Sequence, residues 1–166
     1  MEKDQDPRRL PNRETHNCFG CSPINPSGLQ MKFFTRDNVV FSRLKVPDHL
    51  CGWDRLVHGG VISTILDEIM SWTAIYLLRR ITVTQSMRID FLKPVTIGSS
   101  LAARGSIVST SGKHDVSAKG EIRTADGDLC ASAQAEFKAF SPAVARRLGI
   151  ADEASLEWFA QALDIK

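Results

Sequence analysis

The segment between Gly60 and Leu78 has no polar face, and this limits the folds that the chain can adopt. A helix of this composition is either surrounded by protein or spans a membrane. Because Asp67 and Glu68 interrupt the apolar stretch, together with several hydroxyl residues, we expect a buried helix and no membrane span. Its apolar residues include Val61, Ile62, Ile65, Leu66, Ile69, Met70, Trp72, Ala74, Ile75 and Leu77.

Six segments with strand character surround this helix, two before it and four after it. Alternating residues such as Val116, Ala118, Gly120 and Ile122 indicate antiparallel strands with one buried face. One fully apolar helix needs a curved sheet wrapped around it, so we predict an α+β fold with one long central helix. The predicted strands are Gly28–Thr35 and Val39–Val46, around the turn Arg36-Asp37-Asn38, and then Ile81–Leu92, Leu101–Thr110, His114–Arg123 and Leu129–Phe140.

The length of 166 residues fits a single domain with two appended segments. Residues 1–17 are rich in charge and lack periodicity, so we predict a flexible N-terminal segment. Residues 18–140 form the predicted domain. Residues 141–166 form a helical tail, because Ser141-Pro142 is a helix start and a second short helix is indicated near Asp152–Leu163.

Charge and cysteine content exclude some classes of function. The net charge is +2, from 21 basic and 19 acidic residues, which does not indicate a nucleic-acid partner. Four cysteines without a signal peptide predict a cytoplasmic protein. Cys18 and Cys21 have the spacing of a zinc pair, but no second close pair follows and no thioredoxin-like context surrounds them. We therefore predict neither a metal nor a cofactor.

Two glycines precede the central helix, in the segment from Val57 to Glu68. The first amides of a helix have no intrahelical partner and lie at the positive end of its dipole. Gly59 and Gly60 would let a ligand oxygen approach these amides, which could then stabilise an oxyanion. The alternative is that the glycines serve helix packing alone.

Asp67 and Glu68 are the only charges within the apolar helix, and an unpaired carboxylate there is costly. Either could pair with an arginine such as Arg88 or act in chemistry; Glu68 points about 100° away from Asp67. Gly59 and Asp67 are about 12 Å apart along one helix, whereas a catalytic base needs to be within about 3 Å of its target. Two antiparallel copies of the helix would bring Gly59 of one subunit to Asp67 of the other, so we expect at least a dimer.

His58-Gly59-Gly60, followed by an acid nine residues after the histidine, resembles hotdog-fold acyl-CoA thioesterases, notably the phenylacetate-pathway (PaaI-like) branch of the 4-hydroxybenzoyl-CoA thioesterase superfamily. The resemblance extends over residues 18–140. Further similar motifs are Cys18-x-x-Cys21 with Asn25-Pro26-x-Gly28-Leu29, Gly52-Trp53-Asp54, and Phe91-Leu92-Lys93-Pro94.

The resemblance implies a homodimer with a continuous sheet, often paired into a dimer of dimers. It implies that Asp67 is the nucleophile or the base for water, and that the amide of Gly59 or Gly60 polarises the carbonyl. It also implies that a hydroxyl on the next strand, here Thr84, orients the water. His58 is expected to act as a neutral hydrogen-bonding group or to anchor its loop.

The function expected from these observations is hydrolysis of an acyl-CoA thioester to free acid and coenzyme A. Two alternatives remain: a hydratase or dehydratase of acyl thioesters, and a non-catalytic acyl-CoA-binding protein. The acyl group itself is not predicted, although Met70, Tyr76 and Met87 could shape its pocket. The candidate substrate-binding residues are Trp53, Glu68, Trp72, Arg79, Arg80 and Lys113.

Overall fold

A computed structural model describes residues 6–164 and shows one antiparallel sheet curved around a long helix. The seven strands are ordered β1-β2-β3-β5-β6-β7-β4. The predicted α+β architecture, a curved antiparallel sheet around one central helix with short C-terminal helices, is confirmed. The elements are β1 (Arg8–Arg9), β2 (Phe33–Arg36), β3 (Val39–Lys45), a 3₁₀ turn (Asp48–Leu50), α1 (Gly59–Leu78), β4 (Ile81–Phe91), β5 (Ser100–Ser111), β6 (Asp115–Thr124), β7 (Leu129–Phe140), α2 (Pro142–Arg147) and α3 (Glu153–Ala162).

Small residues on the inner face of the sheet allow α1 to lie close to it. Gly105 of β5 and Gly120 of β6 are paired in register, and a side chain on either would run into α1. Neighbouring inner positions are buried alanines. The bulk of the core is therefore supplied by the helix, whose residues Ile65, Leu66 and Ile69 are completely buried.

The alternation predicted for the last two strands is confirmed by burial and register. Ala118 pairs with Ala135, and Ile122 pairs with Ala131. All four are at most 1% exposed. Because side chains alternate between the two faces of a strand, this register places every second residue of both strands against α1.

By length and composition alone, α1 could cross a membrane. Nine of its residues are buried, and it contacts β3 to β7. This is the pattern of a core helix, as predicted for the segment from Gly60 to Leu78.

The first predicted strand, Gly28–Thr35, is wrong at its beginning, because β2 starts only at Phe33. Gln30 has a φ of 49°, which interrupts an extended chain. The amides of Leu29 and Met31 donate instead to the carbonyls of Phe19 and Gly20. Leu29 and Met31 remain buried, so the apolar pattern was a correct sign of burial but not of a strand.

The N-terminal segment also departs from the expected flexible chain. Arg8–Arg9 pairs with Phe34 and Thr35, and Leu10 is only 3% exposed. Residues 1–5 lie outside the described part, as do residues 165–166 of the tail. Within the tail, Ser141 and Asp152 each cap a helix, in agreement with the predicted helix starts.

Replacing Gly105 by alanine is expected to lower the free energy of unfolding by about 1–3 kcal/mol, the range for overpacked cores. The new Cβ would lie 2.8 Å from the carbonyl oxygen of Ile69, which belongs to the helix backbone and cannot rotate away. Urea unfolding followed by circular dichroism measures the change. Gly59→Ala is the matched control, since its Cβ would meet only Phe91, at 3.7 Å. Equal stability of the two variants would contradict this account of sheet–helix packing.

Candidate functional site at the start and middle of the central helix

His58 caps α1 through its ring. The amide of Gly60 donates to His58 Nδ1 at 2.9 Å. The amides of Val61 and Ile62 both donate to the carbonyl oxygen of His58. The described chain, residues 6–164, offers no acceptor to the amide of Gly59. Of the two predicted oxyanion donors, Gly59 is therefore the one whose N–H is available, and Gly60 is already engaged.

The free amide of Gly59 lies beside a small cavity of about 170 Å³. The aromatic ring of Phe91, at the end of β4, forms part of its wall, together with Val57 and Val95. The lack of a side chain at Gly59 leaves the helix start open to this cavity. A carbonyl oxygen placed here would meet both the N–H and the positive end of the helix dipole.

Asp67 and Thr84 form a hydrogen bond between α1 and β4. The Thr84 hydroxyl donates to Asp67 Oδ1 at 2.7 Å, which leaves Oδ2 for other partners. The hydroxyl predicted to orient the water, that of Thr84, thus lies against Asp67. Two residues earlier on β4, Thr82 makes a similar contact with Ser71, at 2.6 Å.

A β-bulge follows Thr84 directly, because the register with β7 shifts between Thr84 and Ser86. Before the bulge, Thr82 and Thr84 face α1. After it, Met87 and Ile89 take the half-buried positions. The extra residue switches which alternate side chains face the helix. The strand therefore presents hydroxyl groups to α1 before the bulge and apolar side chains after it.

Burial raises the pKa of Asp67 above its ordinary value, because a carboxylate loses hydration between α1 and β4. The hydrogen bond from Thr84 opposes this shift by stabilising the charged form, and the negative charge of a Cys18 thiolate raises the pKa of Asp67 further. The carboxylate is therefore poorly solvated, as expected of a group used in chemistry and not in an ion pair.

In one chain, Asp67 and the Gly59 amide lie about 12 Å apart along α1. They cannot act on the same atom within a single copy.

The strand that carries Thr84 is the last of the sheet, and its outer edge has no partner among residues 6–164. Val83 and Phe91 on this strand are 41% and 58% exposed, and Leu92 follows at 53%.

The candidate substrate-binding residues are scattered. Trp53 lies on the surface and is 85% exposed. Arg80 and Lys113 come together, since the guanidinium of Arg80 donates to the carbonyl of Lys113. Arg79 ends α1 in a left-handed conformation. Arg79 lies about 18 Å beyond Asp67 along the helix axis, so within one chain it can meet only the far end of a long substrate.

Trp72 is buried, stacks on Phe33 with ring centroids 4.7 Å apart, and lines a cavity of about 300 Å³ between α1, β4 and α3. Met70 is completely buried in the core, and Met87 is half-buried against it. Tyr76 accepts a hydrogen bond from Arg8 at 2.7 Å.

A larger cavity of about 590 Å³ is lined by Arg88, Arg104 and Lys119, on the other face of the sheet and away from Asp67.

Glu68 does not share the surroundings of Asp67. The Cys18 thiol contacts Glu68 Oε1 at 3.1 Å, and Cys21 lies within the same cluster. No arginine pairs with Glu68 in the described chain, and Arg88 pairs with Asp90 instead. The sequence indicated that Glu68 points away from Asp67, but the partner is 50 residues distant, and only the fold brings the two together.

The three groups of this cluster influence one another. The pKa of Glu68 is raised to about 8, first by burial and then by the charge of Cys18. A hydrogen bond between the two thiols lowers the pKa of Cys18 and raises that of Cys21. Among the described residues, this is the group whose side chains could hold a metal ion.

The family model for the thioesterase superfamily matches residues 55–131, which include α1 and the strands from β4 to the start of β7. None of the curated proteins matches the sequence.

Similar solved structures share the fold. A thioesterase superfamily protein has a TM-score of 0.67 and 24% identity, with 74% of this chain and 60% of that chain covered. This chain thus spans less than two thirds of that relative. A hypothetical thioesterase with coenzyme A from Streptococcus pneumoniae has a TM-score of 0.58 and 24% identity, covering 63% and 80%. The Escherichia coli PaaI protein from the phenylacetic acid degradation operon has a TM-score of 0.60 and 18% identity, covering 68% and 80%.

The match and the shared architecture confirm the resemblance to hotdog-fold thioesterases that the motif around His58 indicated. The matched segment contains both His58-Gly59-Gly60 and Asp67.

The cap geometry predicts the tautomer of His58. Because Nδ1 accepts the Gly60 N–H, the neutral ring is expected to carry its proton on Nε2. Long-range ¹H–¹⁵N NMR at a pH of about 8, where an ordinary histidine is neutral, distinguishes the two tautomers. His49, which is exposed on the preceding loop, serves as the comparison. A proton on Nδ1 of His58 would contradict the described cap and return Gly60 to the set of available donors.

Proposed function

We propose that this protein hydrolyses an acyl-CoA thioester to a carboxylic acid and coenzyme A, at a site formed by two copies of the chain. The observation that carries the proposal is the pairing of a poorly solvated Asp67 with Thr84 on an unpaired edge strand, in a helix that begins with a free Gly59 amide. The thioesterase superfamily match and the similar structure with coenzyme A support it.

Each subunit contributes a different group to the reaction. The Gly59 N–H of one subunit donates a hydrogen bond to the thioester oxygen as negative charge develops on it, aided by the helix dipole. Asp67 of the second subunit either attacks the carbonyl carbon and forms an anhydride that water hydrolyses after coenzyme A has left, or takes a proton from a water molecule that attacks the carbon. The bond between carbon and sulfur then breaks, and coenzyme A leaves as a thiolate. Thr84 holds Asp67 through Oδ1, so that Oδ2 faces the substrate.

The dimer follows from the 12 Å between Gly59 and Asp67 in one chain. An unpaired β4 edge with exposed apolar residues supports pairing with a second copy in an antiparallel sense. We extend the proposal to a homodimer paired further as a dimer of dimers, and to a cytoplasmic location, which the four free cysteines support.

Asp67→Asn is expected to lower turnover by at least about 100-fold, because it removes the base or nucleophile without changing the size of the side chain. A panel of aromatic and aliphatic acyl-CoA substrates with a thiol-detecting readout measures this. The matched control is Asp126→Asn, since asparagine before Gly127 suits the same hairpin turn. Full activity of the Asp67 variant would exclude this residue from the chemistry.

Gly59→Pro tests the amide donor without removing the helix start. Proline is favoured at the first helical position, and His58, with ψ of 138°, already has the conformation preferred before proline. The variant replaces the N–H by the Cδ of the proline ring, and turnover is expected to fall by about 100–1000-fold. Gly59→Ala keeps the N–H and fits beside Phe91, so it should remain active. Similar activity of the two variants would mean that this amide does not stabilise the oxyanion.

The same variants reveal whether the site is shared. Mixed dimers of Asp67→Asn and Gly59→Pro chains contain one site with both groups intact, if the two groups come from different subunits. Random 1:1 mixing then gives about one quarter of wild-type activity, since half of the dimers are mixed and each has one complete site of two. Activity no higher than that of the separate variants would show that the site lies within one chain.

A further inference from the structure

Cys18, Cys21 and Glu68 form a compact group that the proposed hydrolysis does not use. The two Sγ atoms and a Glu68 carboxylate oxygen all lie within 4.8 Å of one another. Cys21 is buried, and the other two residues are half-buried. Two thiols and a carboxylate are ligands that zinc prefers, and the Cys-x-x-Cys spacing is common in zinc sites.

The local backbone is shaped to bring these three groups together. The amide of Ser22 donates to the carbonyl of Cys18 at 3.2 Å and closes a tight turn that directs both thiols to one side. Gly20 lies within this turn, where a Cβ would be only 2.6 Å from Glu68 Oε1. Glycine at this position therefore lets the Glu68 side chain of α1 reach into the turn.

The distances suit a tetrahedral ion. Zinc binds sulfur at about 2.3 Å and carboxylate oxygen at about 2.0–2.2 Å, so two ligand atoms of one ion lie roughly 3.5–3.8 Å apart. The Cys18 Sγ–Glu68 Oε1 distance is 3.1 Å, and the full group is within 4.8 Å. Small rotations of the side chains would equalise these distances around one centre.

The charges of the group also favour a cation. Two thiols and a carboxylate packed together cannot all ionise without a positive partner, and no ion pair to Glu68 is present within residues 6–164. A dication would supply that partner and allow both thiols to release their protons to solvent. His16 and Arg13 line the adjacent 300 Å³ cavity, through which an ion or a water molecule could enter.

We propose that Cys18, Cys21 and Glu68 bind a divalent cation of borderline or soft character, best matched by Zn²⁺. The three residues supply three ligands, and the cavity side of the ion is left to water. The ion connects the Cys18–Cys21 turn, which precedes β2, to α1 at Glu68, the residue after Asp67. This site is separate from the hydrolysis itself, so its test does not depend on activity.

Cobalt binding to the reduced, metal-free, untagged full-length protein tests the proposal. One Co²⁺ per chain is expected, with a thiolate-to-cobalt absorption band that added Zn²⁺ abolishes. Cys18→Ser and Cys21→Ser should each weaken binding by more than about 100-fold, because even the loss of an outer-shell partner costs about 10–100-fold. Glu68→Gln should keep the band and bind at least about 10-fold more weakly. Cys51→Ser, which removes an exposed thiol outside the group, should bind like wild type.

Absence of the band in wild type, with all four thiols shown to be reduced, would overturn the proposal. Persistence of the band in both the Cys18 and Cys21 variants would overturn it as well. Alkylation of the wild-type protein followed by mass spectrometry gives a second measurement that needs no variant. Zn²⁺ should protect the half-buried Cys18 and leave the exposed Cys51 reactive, and equal labelling of Cys18 with and without Zn²⁺ would refute the site.

Discussion

The fold depends on enclosing a helix that has no face suited to water. An apolar helix of 20 residues can be stable in solution only if protein covers most of its surface. The sheet achieves this by curving and by reducing its own inner side chains to glycine and alanine, as at Gly105 and Gly120. Large residues on the helix against small residues on the sheet give close packing with no need for bulk on both sides.

Enclosing the helix also sets the surroundings of the carboxylates that it carries. A carboxylate in the middle of an apolar helix is costly, and Asp67 is tolerated because Thr84 donates a hydrogen bond at an open sheet edge. Adjacent residues of a helix point about 100° apart, so Asp67 and Glu68 cannot lie in the same environment. Asp67 therefore faces the edge strand, while Glu68 faces the cysteine turn. Two adjacent acids thus have different surroundings.

Much of the fold could be predicted because its signals are local. Three features depend on residues close in sequence: the period-two burial of Ala118, Ala135 and their neighbours, the Asp37-Asn38 turn, and the mostly apolar helix. The prediction was wrong where tertiary contacts decided the backbone. Leu29 and Met31 are buried as expected, but they bond to the Phe19–Gly20 turn and not to a strand. Leu10 is likewise fixed by pairing of Arg8–Arg9 with β2, which no local pattern signals.

By itself, the sequence determined the central helix and the alternating strands, since these follow from composition and from helical or strand periodicity. Its resemblance to thioesterases singled out the acid nine residues after His58. Only the tertiary structure decided which groups are chemically free. In the fold, the Gly60 amide donates to the His58 ring, whereas the Gly59 amide has no acceptor among residues 6–164. The sequence could not show this difference, because it depends on the rotamer of the His58 side chain. The tertiary structure also joined Cys18 and Cys21 to Glu68, because ligands from distant segments meet only when the turn packs on the helix.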